Sequence, residues 1–300
     1  MRKDYQNLEF DMHVPVLLKE VLKYLEPKAN QNFIDATVGD GGHAKEILKL
    51  TTPFGMFMAI DRDADSIIRA RADLEKFGKR VLFINDSFGN ILNIVQKNKI
   101  RSVSGILFDF GMSSSQLENS GRGFSFQKDE ILDMRYDVKT PITAEDIINN
   151  YGETELAEIF KKWGEEPKAR LIAKAIVTER KKKRIKTTGE LVKIIVSKKR
   201  FGRIHPATLI FQALRIEVNQ ELSEIEKMLK AIPEILDKDG RAAFISFHSL
   251  EDRMIKNWAR NLNKKNLIEI ITKHPITASA EELKNNPRSR SAKLRIIKMA

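Results

Sequence analysis

The stretch Phe33-Ile34-Asp35-Ala36-Thr37-Val38-Gly39-Asp40-Gly41-Gly42-His43 decides how this chain folds. It joins a short apolar run to a glycine cluster and then to a helical pattern, and a second apolar run ending in Asp61 follows. An α/β fold builds a pocket for an adenosine-containing ligand in this way. Glycines let the backbone turn sharply after the strand and approach the ligand, while N–H groups opening the next helix face it. The acid after the second strand, Asp61, is then placed to accept hydrogen bonds from ribose hydroxyls.

Two cofactors compete for this turn, because Gly39-Asp40-Gly41-Gly42-His43-Ala44 also satisfies the dinucleotide pattern G-x-G-x-x-A. Asp35 leads into the turn, and the order acid, glycines, acid favours S-adenosylmethionine. An acid there holds an ammonium and repels a pyrophosphate. A purely structural glycine turn is the third reading.

Working outward, residues 32–36, 55–60, 81–84 and 105–110 read as strands, with helices at 43–50, 64–77 and 88–97 between them. An amphipathic helix over 14–26 precedes them. Four β-α units in a row imply a parallel sheet with right-handed crossovers. The rhythm breaks at 111–142, a segment rich in serine, glycine and charge that reads as a lid or a crossing between domains. Helices follow at 144–149, 153–163, 166–180 and 188–196, and Pro206 is expected to open one long helix reaching residue 231. Alternation resumes with strands at 240–247, 267–272 and 293–299 and helices at 250–261 and 280–284. The expected architecture is α/β: a Rossmann-like sheet formed by residues 1–115 and 215–300, with an all-helical, basic domain, residues 116–214, inserted into it.

Charge marks that insert. Of the net charge of +12, all sits in residues 161–203, which hold 16 basic and 4 acidic side chains; elsewhere 37 basic residues balance 37 acidic ones. The run Arg180-Lys181-Lys182-Lys183-Arg184-Ile185-Lys186, followed by Lys198-Lys199-Arg200 and Arg203, suits a surface that neutralises nucleic-acid phosphates. A solvated helix face is the alternative. The 300-residue chain has no cysteine, which excludes disulfides, thiolate metal sites and thiolate nucleophiles. Methylation at carbon-5 of a pyrimidine, which proceeds through a covalent cysteine adduct, is excluded with them. No apolar run approaches the length of a membrane span and the opening MRKDYQNLEF lacks a signal-peptide core, so a cytoplasmic protein without membrane partners is expected.

Chemistry should gather at the carboxyl ends of the strands. Asp109 ends strand four, with Ser113, Ser114, Ser115 and Gln116 beyond it. Acceptors at this place hold a substrate amine and draw its lone pair out of conjugation, although Asp109 equally reaches the cofactor. Asn85-Asp86-Ser87-Phe88 suits an adenine, with Phe88 stacking on it, or else Ser87 caps a helix over a core phenylalanine. His248 lies at the tip of strand five, before Ser249 and Asp252 at capping-box spacing. Asp109, Ser113 and His248 are thus the catalytic candidates. Arg288 and Arg290 on a tight loop suit phosphate contacts. No cluster has metal-ligand spacing, so no metal is expected.

The segments HVPVLLKEV, FIDATVGDGGH, AIDRD, GILFDFGMSSSQL, RGFSF, LDMR, YGETE with WGEE, HPATLIFQALRI, ISFHSLEDR and NPRSRSAKLR resemble, in order and across nearly the whole chain, the bacterial RsmH (MraW) family of 16S ribosomal RNA cytosine-N4 methyltransferases. The resemblance implies methyl transfer from S-adenosylmethionine to the exocyclic amine of a cytosine in the decoding centre of the small ribosomal subunit. It implies that Gly41, Gly42, His43, Asp61, Phe88, Asp109 and Gln116 are cofactor contacts, which tilts Asp109 toward the cofactor and leaves the catalytic acceptor undefined. Transfer would be direct, onto a flipped cytosine lying between the two domains, with Arg122, Arg135, Arg180, Lys181, Lys182, Lys183, Arg184, Arg288 and Arg290 gripping RNA phosphates. Two departures stand out. Ser115 replaces a usual proline, which is expected to loosen the loop carrying Gln116, and Leu209-Ile210 replaces a usual Arg-Thr, which removes a basic contact.

Overall fold

The computed structural model describes residues 15–199, 202 and 204–300. Val14, Arg200 and Arg203 lie outside them. The strands are β1 (Asn32–Asp35), β2 (Phe57–Asp61), β3 (Val81–Asn85), β4 (Val103–Asp109), β5 (Leu236–Ser246), β6 (Ile268–Ile270) and β7 (Lys293–Met299). They form one sheet in the order β3-β2-β1-β4-β5-β7-β6. The pairs among β1 to β5 are parallel, and β7 runs antiparallel to both β5 and β6.

Alternation along the strands explains the sheet's burial. Phe33, Phe57, Ala59, Leu107 and Ile245 point into one apolar cluster, whereas Ile34, Met58, Ile60, Ile106 and Phe244 point into the other. Both faces are covered, so the strands read as unbroken apolar runs. On the first face lie α1 (Leu18–Leu25), α2 (Gly42–Leu50) and α3 (Ala64–Leu74). Against the second lie α4 (Ile91–Asn98) and two helices from later in the chain.

After β4 comes α5 (Ser114–Asn119), inside the segment expected to be irregular. Ser113 caps it reciprocally with Gln116, a Ser-x-x-Gln box that the sequence displays. Then follow α6 (Ala144–Asn150), α7 (Glu153–Gly164), α8 (Ala169–Arg180) and α9 (Thr188–Lys198). Thr143 with Asp146 and Thr187 with Glu190 form the capping boxes that start α6 and α9. Phe124, Ile147, Phe160, Ile172, Leu191, Ile210 and Leu214 belong to a third apolar cluster without a strand residue, so this region has a core of its own.

The long helix expected from Pro206 to residue 231 is two helices, α10 (Thr208–Asn219) and α11 (Glu221–Ile235). Gln220 adopts φ +54° between them. The apolar period runs through the break and hides it. What imposes it is Asn219, fully buried: its Nδ2 donates to the carbonyls of Met134 (2.7 Å) and Arg215 (3.0 Å), and its Oδ1 accepts from the Tyr136 N–H (2.8 Å). The chain closes with α12 (Ser249–Lys264) and α13 (Ala280–Asn285).

Replacing Asn219 by Ala leaves the Met134 carbonyl and the Tyr136 N–H without these partners. Urea unfolding should show a loss of about 3 kcal/mol; a loss below about 1 kcal/mol means that these bonds do not hold the junction.

Candidate cofactor and substrate site

Strand order reverses between β1 and β4, so a crevice opens beyond their carboxyl ends, where open α/β sheets bind ligands. The glycine turn lines it. Gly41, at φ +88°, is the N-cap of α2 and has no side chain to accept from the helix's first N–H groups. Gly42 packs so closely on Pro15 that a Cβ would stand 2.5 Å from the ring.

Three carboxylates converge on the turn. Asp61 accepts the Gly39 N–H on Oδ2 (2.9 Å) and the Asp63 N–H on Oδ1 (2.8 Å). Burial pushes its carboxyl up to about 6, against the pull of those two N–H groups. Asp35 is buried at the end of β1 and is pushed up to about 7 by burial and by the charge of Asp61, with the Thr37 N–H opposing. Asp109 is raised well above the ordinary range by burial, then by Asp35 and Glu251. Its backbone N–H donates to Thr37 Oγ1 (2.6 Å), joining the tips of β1 and β4. A quarter of the Asp109 side chain is exposed, yet Oδ1 is enclosed and has no hydrogen-bond partner among the described residues.

A site with three strained acids and an orphan acceptor is short of a cation. S-adenosylmethionine, with its sulfonium and ammonium groups, fits that deficit, whereas a dinucleotide pyrophosphate would add charge of the wrong sign. A polar cavity of about 510 Å³ opens beside the tips of β2 and β3, lined in part by Arg62, Asp86, Ser87, Asn219 and Glu224. Phe88 is half-buried, with its ring edge-on to Phe108 and Phe110.

The other expected contacts are placed as follows. His43 is buried and its Nε2–H donates to the Val16 carbonyl (2.9 Å), which turns Nδ1 toward Asp109 Oδ2 at 3.9 Å. Gln116 is buried too, donating to Asp63 Oδ2 (2.9 Å) and accepting the Ser113 N–H on Oε1 (3.0 Å). It therefore reaches Asp61 through Asp63. Ser115 Oγ donates to Asp40 Oδ2 (3.1 Å), a bond no proline makes, and Arg69 holds the other oxygen of Asp40 at 2.7 Å. Ser113 spends its oxygen on the Gln116 N–H.

At the tip of β5 the capping box sits one residue earlier than expected. His248 caps α12, its Nδ1 accepting from the Glu251 N–H (3.4 Å), while Glu251 Oε2 accepts the N–H groups of Phe247 (2.8 Å) and His248 (3.3 Å). Ser249 donates to Glu165 (2.5 Å), and Asp252 pairs with Arg295 (2.6 Å). Beside the box lies a buried pair invisible to spacing. Arg215 donates Nε to Glu221 Oε1 (2.8 Å) and Nη2 to Oε2 (3.0 Å), and Tyr136 OH also donates to Oε1 (3.3 Å). Burial would raise Glu251, but the charges of His248 and Arg215 hold it below the usual range. No local signal announces the group, because Arg215 and Glu221 flank the break between α10 and α11 and Tyr136 comes from a distant segment.

The basic residues divide. Arg122 is directed inward: Nη2 pairs with Asp63 (2.7 Å) and Nη1 donates to the carbonyls of Arg135 and Tyr136 (3.0 Å each). Arg135 grips Asp133 (2.8 Å) and the carbonyls of Val138 and Thr140, and Arg180 donates to the Ile148 carbonyl (2.6 Å). These three guanidinium groups are committed within the protein. Lys181 to Arg184 form the exposed connection between α8 and α9. There Lys182 pairs with Glu179, Lys183 with Glu190 and Arg184 with Glu145. Arg288 pairs with Glu118, and Arg290 is exposed. Where Leu209-Ile210 replaces Arg-Thr, Ile210 is fully buried in the helical core.

Residues 11–300 match the model of the MraW methylase family. The chain is 46% identical to "Ribosomal RNA small subunit methyltransferase H" of Sulfurihydrogenibium sp. (strain YO3AOP1), over 95% of this chain and 98% of that one. It is 48% identical to the protein of the same name from Persephonella marina, with the same coverage. With the one from Clostridioides difficile it shares 43%, over 95% of this chain and 97% of that one. A cofactor cradle at the β1/β4 reversal, a deficit of positive charge within it and a likeness along nearly the whole chain agree: this protein belongs to the MraW methylase family.

Proposed function

We propose that this protein transfers a methyl group from S-adenosylmethionine to the exocyclic N4 amine of a cytosine in the decoding centre of 16S ribosomal RNA, within the small ribosomal subunit. The observation that carries the reading is the enclosed, unpartnered Oδ1 of Asp109 at the β4 tip. It is an acceptor waiting for an N–H, in a chain without the cysteine that carbon-5 methylation needs. The relatives named for the small ribosomal subunit supply the substrate class.

The cofactor brings an electrophilic sulfonium methyl. Gly41 and Gly42 let the backbone come close to it, Asp61 accepts from its ribose and Phe88 offers a ring face to its adenine. Gln116 and Arg122 keep Asp61 in place by holding Asp63. Asp109 offers its Oδ2 side toward His43 and the glycine turn, and Oδ1 to an N–H of the bound ligands. Ser113 and His248 stay secondary candidates for the acceptor of the amine, since each serves a helix cap. Catalysis rests on orientation and on withdrawing the amine lone pair from the ring, and the proton leaves to water after transfer.

Residues 116–214 form the RNA-binding unit, inserted into a methyltransferase domain made of 1–115 and 215–300. Lys181, Lys182, Lys183, Arg184, Arg288 and Arg290 take the phosphates; the exposed ion pairs among them are cheap to exchange. Among the described residues no helix is long and apolar enough to cross a membrane. The ribosome places the enzyme in the cytoplasm.

Nucleoside mass spectrometry on small-subunit RNA from a strain lacking the gene should show N4-methylcytidine gone and restored by the wild-type chain; its persistence sinks the reading.

Asp61→Ala should weaken cofactor binding by ~100-fold or more in calorimetry while the fold persists by circular dichroism. Changing Lys181, Lys182, Lys183 and Arg184 together to Gln should leave the cofactor Kd within about twofold and weaken RNA binding by at least ~10-fold, with a shallower salt dependence. If both sets act only on folding, the division of labour is wrong.

A cationic ligand favours ionised carboxyls. With Asp35 at about 7 and Asp61 at about 6, protons must leave on binding, so affinity rises with pH across that window. The cofactor Kd at pH 5.5 should exceed that at 7.5 by about tenfold or more; a flat profile means that neither acid titrates with the ligand.

A further inference from the structure

We propose that Glu221, His248 and Glu251 form a binding site for one divalent transition-metal ion, at the base of the helical region and beside the cofactor cradle. Each offers one ligand atom, and these atoms lie within 4.8 Å of one another. Tetrahedral zinc, with bonds of about 2.1 Å, sets its ligands roughly 3.4 Å apart. Closing the triangle thus takes about an ångström of side-chain movement, which rotation of one glutamate supplies.

Helix capping does not account for the arrangement. The cap of α12 uses Nδ1 of His248 and Oε2 of Glu251. It leaves Nε2 and Oε1, which face each other at 3.1 Å as an ion pair. The His248 side chain is only 8% exposed, and Nε2 has no well-directed hydrogen bond among the described residues, so ring nitrogen and carboxylate stand ready for one shared cation. Glu221 Oε1 accepts from Arg215 and Tyr136, whereas Oε2 accepts from Arg215 alone and keeps a lone pair.

Charge points the same way. Two buried carboxylates stand here with the guanidinium of Arg215 and the imidazole of His248. A divalent ion takes the place of the proton on His248 between ring and carboxylates, with Arg215 and Tyr136 orienting Glu221 as outer partners. One imidazole and two carboxylates suit a borderline ion such as zinc, manganese or cobalt(II). The ligands join the start of α11 to the start of α12, so the ion acts as a clasp, with a gain in stability as its signature.

The test uses the full, untagged chain, treated with chelator and dialysed. Zinc is titrated by calorimetry and cobalt(II) by visible absorption, and Tm is measured with and without zinc. Expected are one ion per chain, cobalt d–d bands and a Tm raised by several degrees. His248→Asn keeps a good N-cap and deletes the ligand. It should weaken binding at least ~100-fold and cancel the Tm gain with the apo fold intact, and Glu221→Gln should do likewise. Absence of stoichiometric binding to the folded wild-type chain overturns the proposal, and so does binding that His248→Asn leaves unchanged.

Discussion

The carboxylate of Asp61 accepts the Gly39 N–H on one oxygen and the Asp63 N–H on the other, and the shape of the cofactor turn depends on these two bonds. They fold the loop after β1 back onto the end of β2, so that Gly41 can open α2 toward the crevice. Asp63 extends the link outward. Its Oδ2 takes both Gln116 from α5 and Arg122 from the segment beyond, and Arg122 holds the carbonyls of residues 135 and 136. The cradle is thereby tied to the region that leads into the helical core.

The same acids give the site its electrostatic character. Burial holds Asp35, Asp61 and Asp109 in their neutral direction, neighbouring acids add to it, and Asp109 Oδ1 accepts no hydrogen bond among the described residues. Folding does not relieve this tension; a positively charged ligand would. The preference for a sulfonium over a pyrophosphate thus follows from the surroundings of the glycine turn, since the turn by itself accommodates either.

Composition located the basic region, and burial decided what each cation does. Arg122, Arg135 and Arg180 lie near the expected RNA-facing surface in sequence, yet their planar donors hold carbonyls and carboxylates inside the fold. Lys181 to Arg184 fall in the turn between α8 and α9, where they are exposed and Lys182, Lys183 and Arg184 pair with half-buried acids. A count of charges cannot separate the two groups. Ser115 teaches a similar lesson, for its hydrogen bond to Asp40 is a contact that the missing proline does not announce.

The sequence by itself determined the elements and their kind. Apolar runs of strand length, helical spacing and the acid–glycine–acid order are local patterns, and they led to the parallel sheet, the turn at Gly41 and the strand tips at Asp61 and Asp109. The box at Ser113 and Gln116 is equally local and legible. Only the tertiary structure decided the break at Gln220, the shift of the α12 cap to His248, the inward turn of Arg122 and the meeting of Arg215, Glu221, His248 and Glu251. The α12 cap rests on His248 and Glu251, three residues apart, but the others rest on partners from different elements: a periodic pattern specifies which face of an element is apolar, and only packing specifies which polar group another segment brings to meet it.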